Sequence, residues 1–354
     1  MESEKRPKTL KLSIIVSLCL SIAIILVILY FTFDAETFAH LSGQNIRYEF
    51  FFAAVLVNFI FWILWGARLR ALANAVESDV KISLWESTKI VMANLFLANI
   101  TPSMAGGEPV RIYLLNKDGL SVGCATAVVL GERLLDAIFL MICFPFAFFV
   151  FRTKINTGAL SIGLTIALAV FVVVVGLFIY ALKNPEKIKS FVLFLNKKLG
   201  RFSRKNQIES KIVERINEEV DNFHESMVCF LSHKKMDFIK ACFFTASFWI
   251  LGWMVPVLIL MGLGLQPHLI ESCAAQILLI IIVMMPTTPG SAGVTEGGAA
   301  ALYSVFISPH LIGIFILLFR LITYHMGLIV GVIFQYRIFK SVASFSLDTI
   351  KTRK

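Results

Sequence analysis

The chain has 354 residues, of which 58% are hydrophobic and only 16% charged, with a mean hydropathy of +0.81 and a formal net charge of +10. That balance excludes an ordinary soluble domain. The six cysteines are scattered without CxxC or His/Cys ligand spacing, which argues against a disulfide framework or a metal site. The fold class that remains is an all-α polytopic membrane protein.

A bilayer core of about 30 Å needs roughly 20 apolar residues in a helix, which places full spans at about 12–31, 50–66, 121–151, 156–182, 237–263 and 310–335. The first run is too long for a signal-peptide core and lacks a small-residue cleavage site, so it reads as a retained span. The following loop holds Asp34, Glu36 and Glu49 against Arg47, and residues 67–90 form a loop with four Lys/Arg. Next comes an apolar stretch from Glu86 to Ile100, about 22 Å long as a helix and too short to cross. It ends at Thr101-Pro102, and "NITPSMAGGEPVRIYLLN" reads as a stop, a glycine-containing bend and a second half-helix opened by Glu108, with Pro109 in its first turn. The insert 183–236 carries twelve Lys/Arg against seven acids and reads as amphipathic helices lying on a membrane surface. A second short apolar stretch, 272–287, runs into "MMPTTPGSAGVTEGGAAALY", which repeats the plan with Pro286, Pro289, Gly290 and Gly293.

Lys and Arg concentrate at the N-terminus, in 67–90, in the insert and in the tail, so these segments are expected in the cytoplasm together with both termini. The protein is then a multi-pass protein of the cell membrane. Its basic surface would attract anionic inner-leaflet lipids and is no indication of nucleic acid. Arg133 and Arg320 stand apart, because they fall inside membrane segments.

An internal repeat links them. At an offset of 187 residues, "FWIL" at Phe61 recurs at Phe248, Thr101-Pro102 aligns with Thr288-Pro289, and Arg133 aligns with Arg320. The repeats run from about 50 to 150 and from about 237 to 337 within one transmembrane domain, 1–354. Three predicted spans separate their starts, so the second copy enters from the opposite side. The expected architecture is two inverted repeats, each with a broken re-entrant helical hairpin, a pattern that points to a transporter site near the midplane.

Irregular backbone at membrane depth survives only against protein or a wet cavity. The candidate substrate-binding residues are therefore those at the breaks and the buried charges: Thr101, Gly106, Gly107, Glu108, Arg111 and Arg133 in the first half; Thr288, Gly290, Gly293, Glu296 and Arg320 in the second. Free N–H groups of two half-helix N-termini would face an anion such as phosphate, and arginine suits bidentate phosphate contact. An intramembrane arginine normally marks a partner or a substrate path. Asp136, Tyr324 and His325 are candidates for proton coupling. Plainer roles exist for each: Glu108 and Glu296 as first-turn acids, Arg133 as the partner of Asp136 or Glu108, the glycines as packing contacts, His325 as a donor to a carbonyl. Trp62, Trp65, Trp249 and Trp253 read as packing or interface residues.

With "TPSMAGGEPVR", "GERLLDAI", "PTTPGSAGVTEGG" and "FRLITYH", the chain resembles the lysylphosphatidylglycerol synthase transmembrane family, the flippase-like membrane half of the multiple peptide resistance factor. Ser291 stands where that family's second motif has a glycine. The resemblance implies translocation of a lipid with a charged or glycosylated headgroup. The soluble synthase domain of the multidomain relatives is not expected after the last span, and no GxxxxGK[ST] loop occurs, so the expectation is a transporter and not an enzyme, with no cofactor. The leading reading is a lipid flippase that moves a phosphate-containing phospholipid or lipid-linked substrate by alternating access. The alternatives are a membrane-embedded glycosyltransferase using a lipid-phosphate sugar, with Asp34 and Glu36 as its acids, and a small-anion or ion transporter. Assembly into a homo-oligomer is left open.

Overall fold

The computed structural model describes residues 19, 21–43, 46–76, 81–101, 106–154, helical residues between 161 and 176, 235–283 and 288–336. The start of the first expected span, most of the 183–236 insert, Pro102, Pro286 and the basic tail lie outside the described residues, as does much of the expected span 156–182. Among the described residues there is no strand.

Helix α1 (Ser21–Thr32) meets α2 (Ala35–Ser42) at 98°. Asp34 makes that corner: its carboxylate accepts the Thr37 N–H at 2.8 Å, and the Thr37 hydroxyl reaches across to the carbonyl of His310. Helix α3 (Tyr48–Val76) follows, then α4 (Leu84–Ile100), α5 (Glu108–Lys117) and α6 (Val122–Lys154). The second half has α7 (Lys235–Gly262), α8 (Leu269–Val283), α9 (Val294–Tyr303) and α10, which starts at Pro309 and runs through a π-helical turn at Leu321–His325 to Tyr336. Four of these, the helices around 48–76, 122–154, 236–262 and 309–336, are long and apolar enough to cross a membrane; the bent pair α1–α2 counts as a fifth if taken as one span.

Three of the expected spans match α6, α7 and α10 closely. The expected span at 50–66 does not end there: α3 continues ten residues to Val76. "ARLRALANAV" is rich in good helix formers, and Arg68, which hydropathy assigns to a water-facing loop, is buried against carboxylates from another helix.

Both short helices end where the chain chemistry dictates. Thr101 precedes a proline, which disfavours helical backbone, and it adopts φ −113°, ψ 150°. Its hydroxyl accepts the Gly106 N–H at 2.9 Å and so closes the bend before α5. In the second half the chain turns through a short 3-10 segment, Pro289–Ser291, with Gly290 at φ 62° and Gly293 at φ 87°. The two breaks touch, because the Gly290 N–H points at the Thr101 carbonyl, 3.4 Å away.

Helix α7 packs along α3, and there the two FWIL segments meet: Phe61 stacks on Phe248 with centroids 4.2 Å apart. Ala54, Phe144, Ile259, Ala275, Tyr303 and Phe315 belong to the larger apolar core, while Leu69, Leu72, Leu115 and Val128 belong to a second one around α3–α6. In the most apolar stretches of the spanning helices only 22% to 44% of residues are buried by the protein. The rest, including Phe52, Ile142, Phe149 and Ile329, form an exposed apolar surface suited to lipid.

Candidate functional site

Among the described residues, the charged groups buried inside the bundle gather in two clusters. In the first, α3 supplies Arg68, α5 supplies Glu108 and Arg111 one turn apart, and α6 supplies Glu132, Arg133 and Asp136. Glu132 is shared by two arginines: Arg68 Nε lies 3.0 Å from its Oε1, and Arg111 holds Oε2. Arg68 also grips Asp136 through both terminal nitrogens, and Trp249 of α7 donates its indole N–H to the same carboxylate at 2.9 Å. The Arg68 guanidinium lies 4.7 Å from the Phe248 ring centroid. Arg133 Nε meets Glu108 at 2.6 Å and leans toward Asp136 at 4.0 Å.

Three arginines and three carboxylates balance, so the cluster is neutral, which is what makes its burial tolerable. It is also graded. Arg68, Arg111 and Glu132 are at most 1% exposed, whereas Arg133 and Glu108 are 37% and 32% exposed. The Arg133–Glu108 pair is therefore the accessible end of an otherwise sealed network.

The second cluster is smaller and closed. Arg320 Nε lies 2.9 Å from Glu296, with both side chains buried. The Arg320 guanidinium sits 4.0 Å from the Tyr324 ring centroid and points one nitrogen at the Gly290 carbonyl. Both Glu296 oxygens are engaged: Oε1 accepts the Ser21 hydroxyl at 2.8 Å and Oε2 the Gly293 N–H at 2.7 Å. Ser21 comes from α1, and Ile24 of the same helix lies against Gly293. Thus α1 covers the second cluster, while Glu108 stays half-exposed in the first.

The structure brings Glu108, Arg111, Arg133 and Asp136 into one network and Glu296, Arg320, Gly290 and Gly293 into the other. Thr101 and Thr288 brace the bends from within, the latter donating to the Ala292 carbonyl at 2.6 Å. Gly106 and Gly107 lie where a side chain would collide with Thr101 and Asn94, respectively, so close packing is their role in the geometry. His325 contacts the Arg320 carbonyl through Nδ1 at 3.1 Å, and the Tyr324 hydroxyl donates to the carbonyl of Asn99. The two half-helix N-termini differ. Neither helix has a side-chain cap on its first turn, but Glu296 accepts the N–H of Gly293, the residue before α9, whereas Glu108 at the start of α5 turns to Arg133 instead. Of the two acids in the glycosyltransferase reading, Asp34 serves as the cap of α2.

Sequence reasoning missed Arg68, Glu132, Ser21 and the hydrogen bond of Trp249. Glu132 carried a signal, an acid inside an apolar span beside Arg133. Arg68 and Ser21 carried none, since each is defined by a helix distant in sequence. Trp62 and Trp253 are core residues. Among the described residues no group of three His, Cys, Asp or Glu could hold a metal ion.

Among the described residues, an all-helical bundle with an apolar exterior and charged clusters in its interior defines a polytopic membrane protein. The chain belongs to the lysylphosphatidylglycerol synthase transmembrane family: the family model described as "Lysylphosphatidylglycerol synthase TM region" matches residues 17–331. It is 32% identical to a UPF0104 membrane protein of Archaeoglobus fulgidus over 92% of this chain and 97% of that one. It is also 26% identical to a UPF0104 membrane protein of Methanocaldococcus jannaschii, over 82% and 84% of the two chains. A further relative, from Pyrococcus horikoshii, is 23% identical over 80% and 84%. No solved structure matches.

Proposed function

We propose that this protein is a lipid translocase that carries a phosphate-bearing headgroup between leaflets by alternating access, with the acyl chains remaining in the bilayer. The observation that carries the reading is the unequal pair of clusters: Arg133–Glu108 is half-exposed while Arg320–Glu296 is sealed. Access from one half with the other half closed over is what a single state of an alternating-access carrier would look like, and the unequal exposure supports that reading. The phosphate would enter at the uncapped N-terminus of α5, compete with Glu108 for Arg133, and pass to Arg320 when the second half opens. Glu108 and Glu296 then serve as gates, and Asp136, Tyr324 and His325 would couple the step to protons.

The inverted-repeat architecture belongs to the same proposal. Each half orders its elements as long helix, short helix, break, short helix, long helix. The contacts between halves are exchanged in the way a two-fold relation demands. The start of α4 meets the end of α10 through Trp85 and Phe334, and the start of α8 meets the end of α6 through Lys154 and Glu271 at 2.8 Å. The short helices are re-entrant hairpins in this reading, and both termini face the cytoplasm of a cell membrane.

The test is reconstitution in liposomes containing fluorescent lipids of several headgroups, with leaflet exchange compared for the native protein, Arg133→Ala and Arg320→Ala. Headgroup-selective exchange that falls at least tenfold in both variants is expected. Exchange at the empty-liposome rate for every headgroup, with all three proteins folded, would sink the reading in favour of an enzyme or an ion transporter.

A further inference from the structure

Arg111 is 1% exposed and engages Glu132 through Nη1, yet its Nε and Nη2 have no hydrogen-bond partner among the described residues. Beside it, with the ring centroid 5.6 Å from the guanidinium carbon, Trp65 has a buried indole N–H that is likewise without a partner. Three donor nitrogens therefore lie in one region with no acceptor for them. Buried donors of this kind lose their water without gaining a partner, and native structures rarely leave them so.

The acceptors nearby are spoken for. Glu132 gives one oxygen to Arg68 and the other to Arg111, and Asp136 is held by Arg68 and Trp249. A bridging water would have to donate onward, and the nearest carboxylates already carry at least two donors each. A phosphate oxygen accepts several hydrogen bonds and donates none. Arg111 also lies one turn inside the uncapped N-terminus of α5, behind the half-exposed Arg133–Glu108 pair.

We propose that Arg111 Nε and Nη2 together with Trp65 Nε1 form an oxyanion site, closed in this structure, that receives a phosphate oxygen once Arg133 and Glu108 part. The proposal rests on the translocase reading and deepens it by naming the groups that grip the phosphate. Two sources share that chemistry, a phospholipid headgroup and free inorganic phosphate.

The experiment uses the full chain purified in detergent micelles, with thermal unfolding followed while phosphatidic acid, diacylglycerol or inorganic phosphate is added. Trp65→Phe keeps the ring and removes the N–H; Arg111→Lys keeps the charge on Glu132 and removes the fork. Phosphatidic acid should stabilise the native protein saturably and diacylglycerol should not. Its affinity should fall roughly fivefold in Trp65→Phe and about tenfold or more in Arg111→Lys. Competition by inorganic phosphate would show that the phosphate alone is recognised. Its failure to compete, with phosphatidic acid still bound and weakened by both substitutions, would assign the site to the lipid headgroup.

Equal stabilisation by diacylglycerol and phosphatidic acid overturns the proposal. So does native affinity in both variants, which would leave buried water as the partner of these donors. Should Arg111→Lys not fold, Trp65→Phe decides alone. The two readings fail separately. Phosphate binding weakened by the substitutions without any leaflet exchange by the native protein keeps the site and removes the translocase. Native exchange together with native affinity in both variants removes the site and keeps the translocase.

Discussion

Glu132 is the residue on which the first cluster depends, because it is wholly buried and answers two arginines at once. Removing one member of a buried ion pair leaves a charge without compensation, so Glu132→Gln should lower stability by about 3 kcal/mol. Glu108→Gln breaks a pair that water already screens and should cost under about 1 kcal/mol. Denaturation of both variants in the same micelles checks the contrast, and equal losses would show that burial does not grade this network. Ser291 offers the opposite sign. It holds φ 51°, a left-handed conformation that is costly for a side-chain-bearing residue. Ser291→Gly should therefore raise stability by about 1 kcal/mol, provided the hydroxyl's long 3.5 Å contact to the Val283 carbonyl adds little. A lower melting temperature in this variant would mean that the contact matters more than the strain.

At the scale of elements, the two long helices α3 and α7 are joined by the stack of Phe61 on Phe248, with Trp65 edge-on to the same ring. A double-mutant cycle of Phe61→Leu and Phe248→Leu should return a coupling of about 0.5–1.5 kcal/mol. Additive losses would show that the rings merely share a core. The positions of these helices were largely legible in the sequence, since apolar runs of spanning length and a Thr-Pro stop have few other readings. Arg68 shows where legibility ends. A hydropathy window sees a charge and closes the span, whereas the fold supplies Glu132 and Asp136 from 64 and 68 residues away. The π-helical turn at Leu321–His325 was equally hidden, because it changes backbone phase without a proline or glycine to announce it.

For the whole molecule, the proposed two-fold relation makes a topological prediction. Trp85 opens α4 and Ile270 opens α8, and both side chains are exposed. In a cysteine-free background, Trp85→Cys and Ile270→Cys should react with a membrane-impermeant thiol reagent from opposite faces of the membrane. Labelling of both from the same face would rule out inversion. The same relation explains why the clusters are unlike: α1 lies outside the repeat and adds Ser21 to one half, while Glu132 and Asp136 align with Phe319 and Thr323 in the other.

By itself the sequence determined the membrane class, the positions of the helix breaks and the pairing of Glu108, Arg133, Glu296 and Arg320 as residues of interest. Those features follow from local composition, backbone chemistry and the 187-residue offset. Only the tertiary structure decided which charges are sealed and which remain open, because burial and ion-pair choice are set by the neighbouring helix. It brought Arg68 and Trp249 to Asp136 and laid α1 over Glu296. No period or motif encodes such contacts. They depend on how helices distant in the chain, with partners 68 to 275 residues apart, pack in three dimensions.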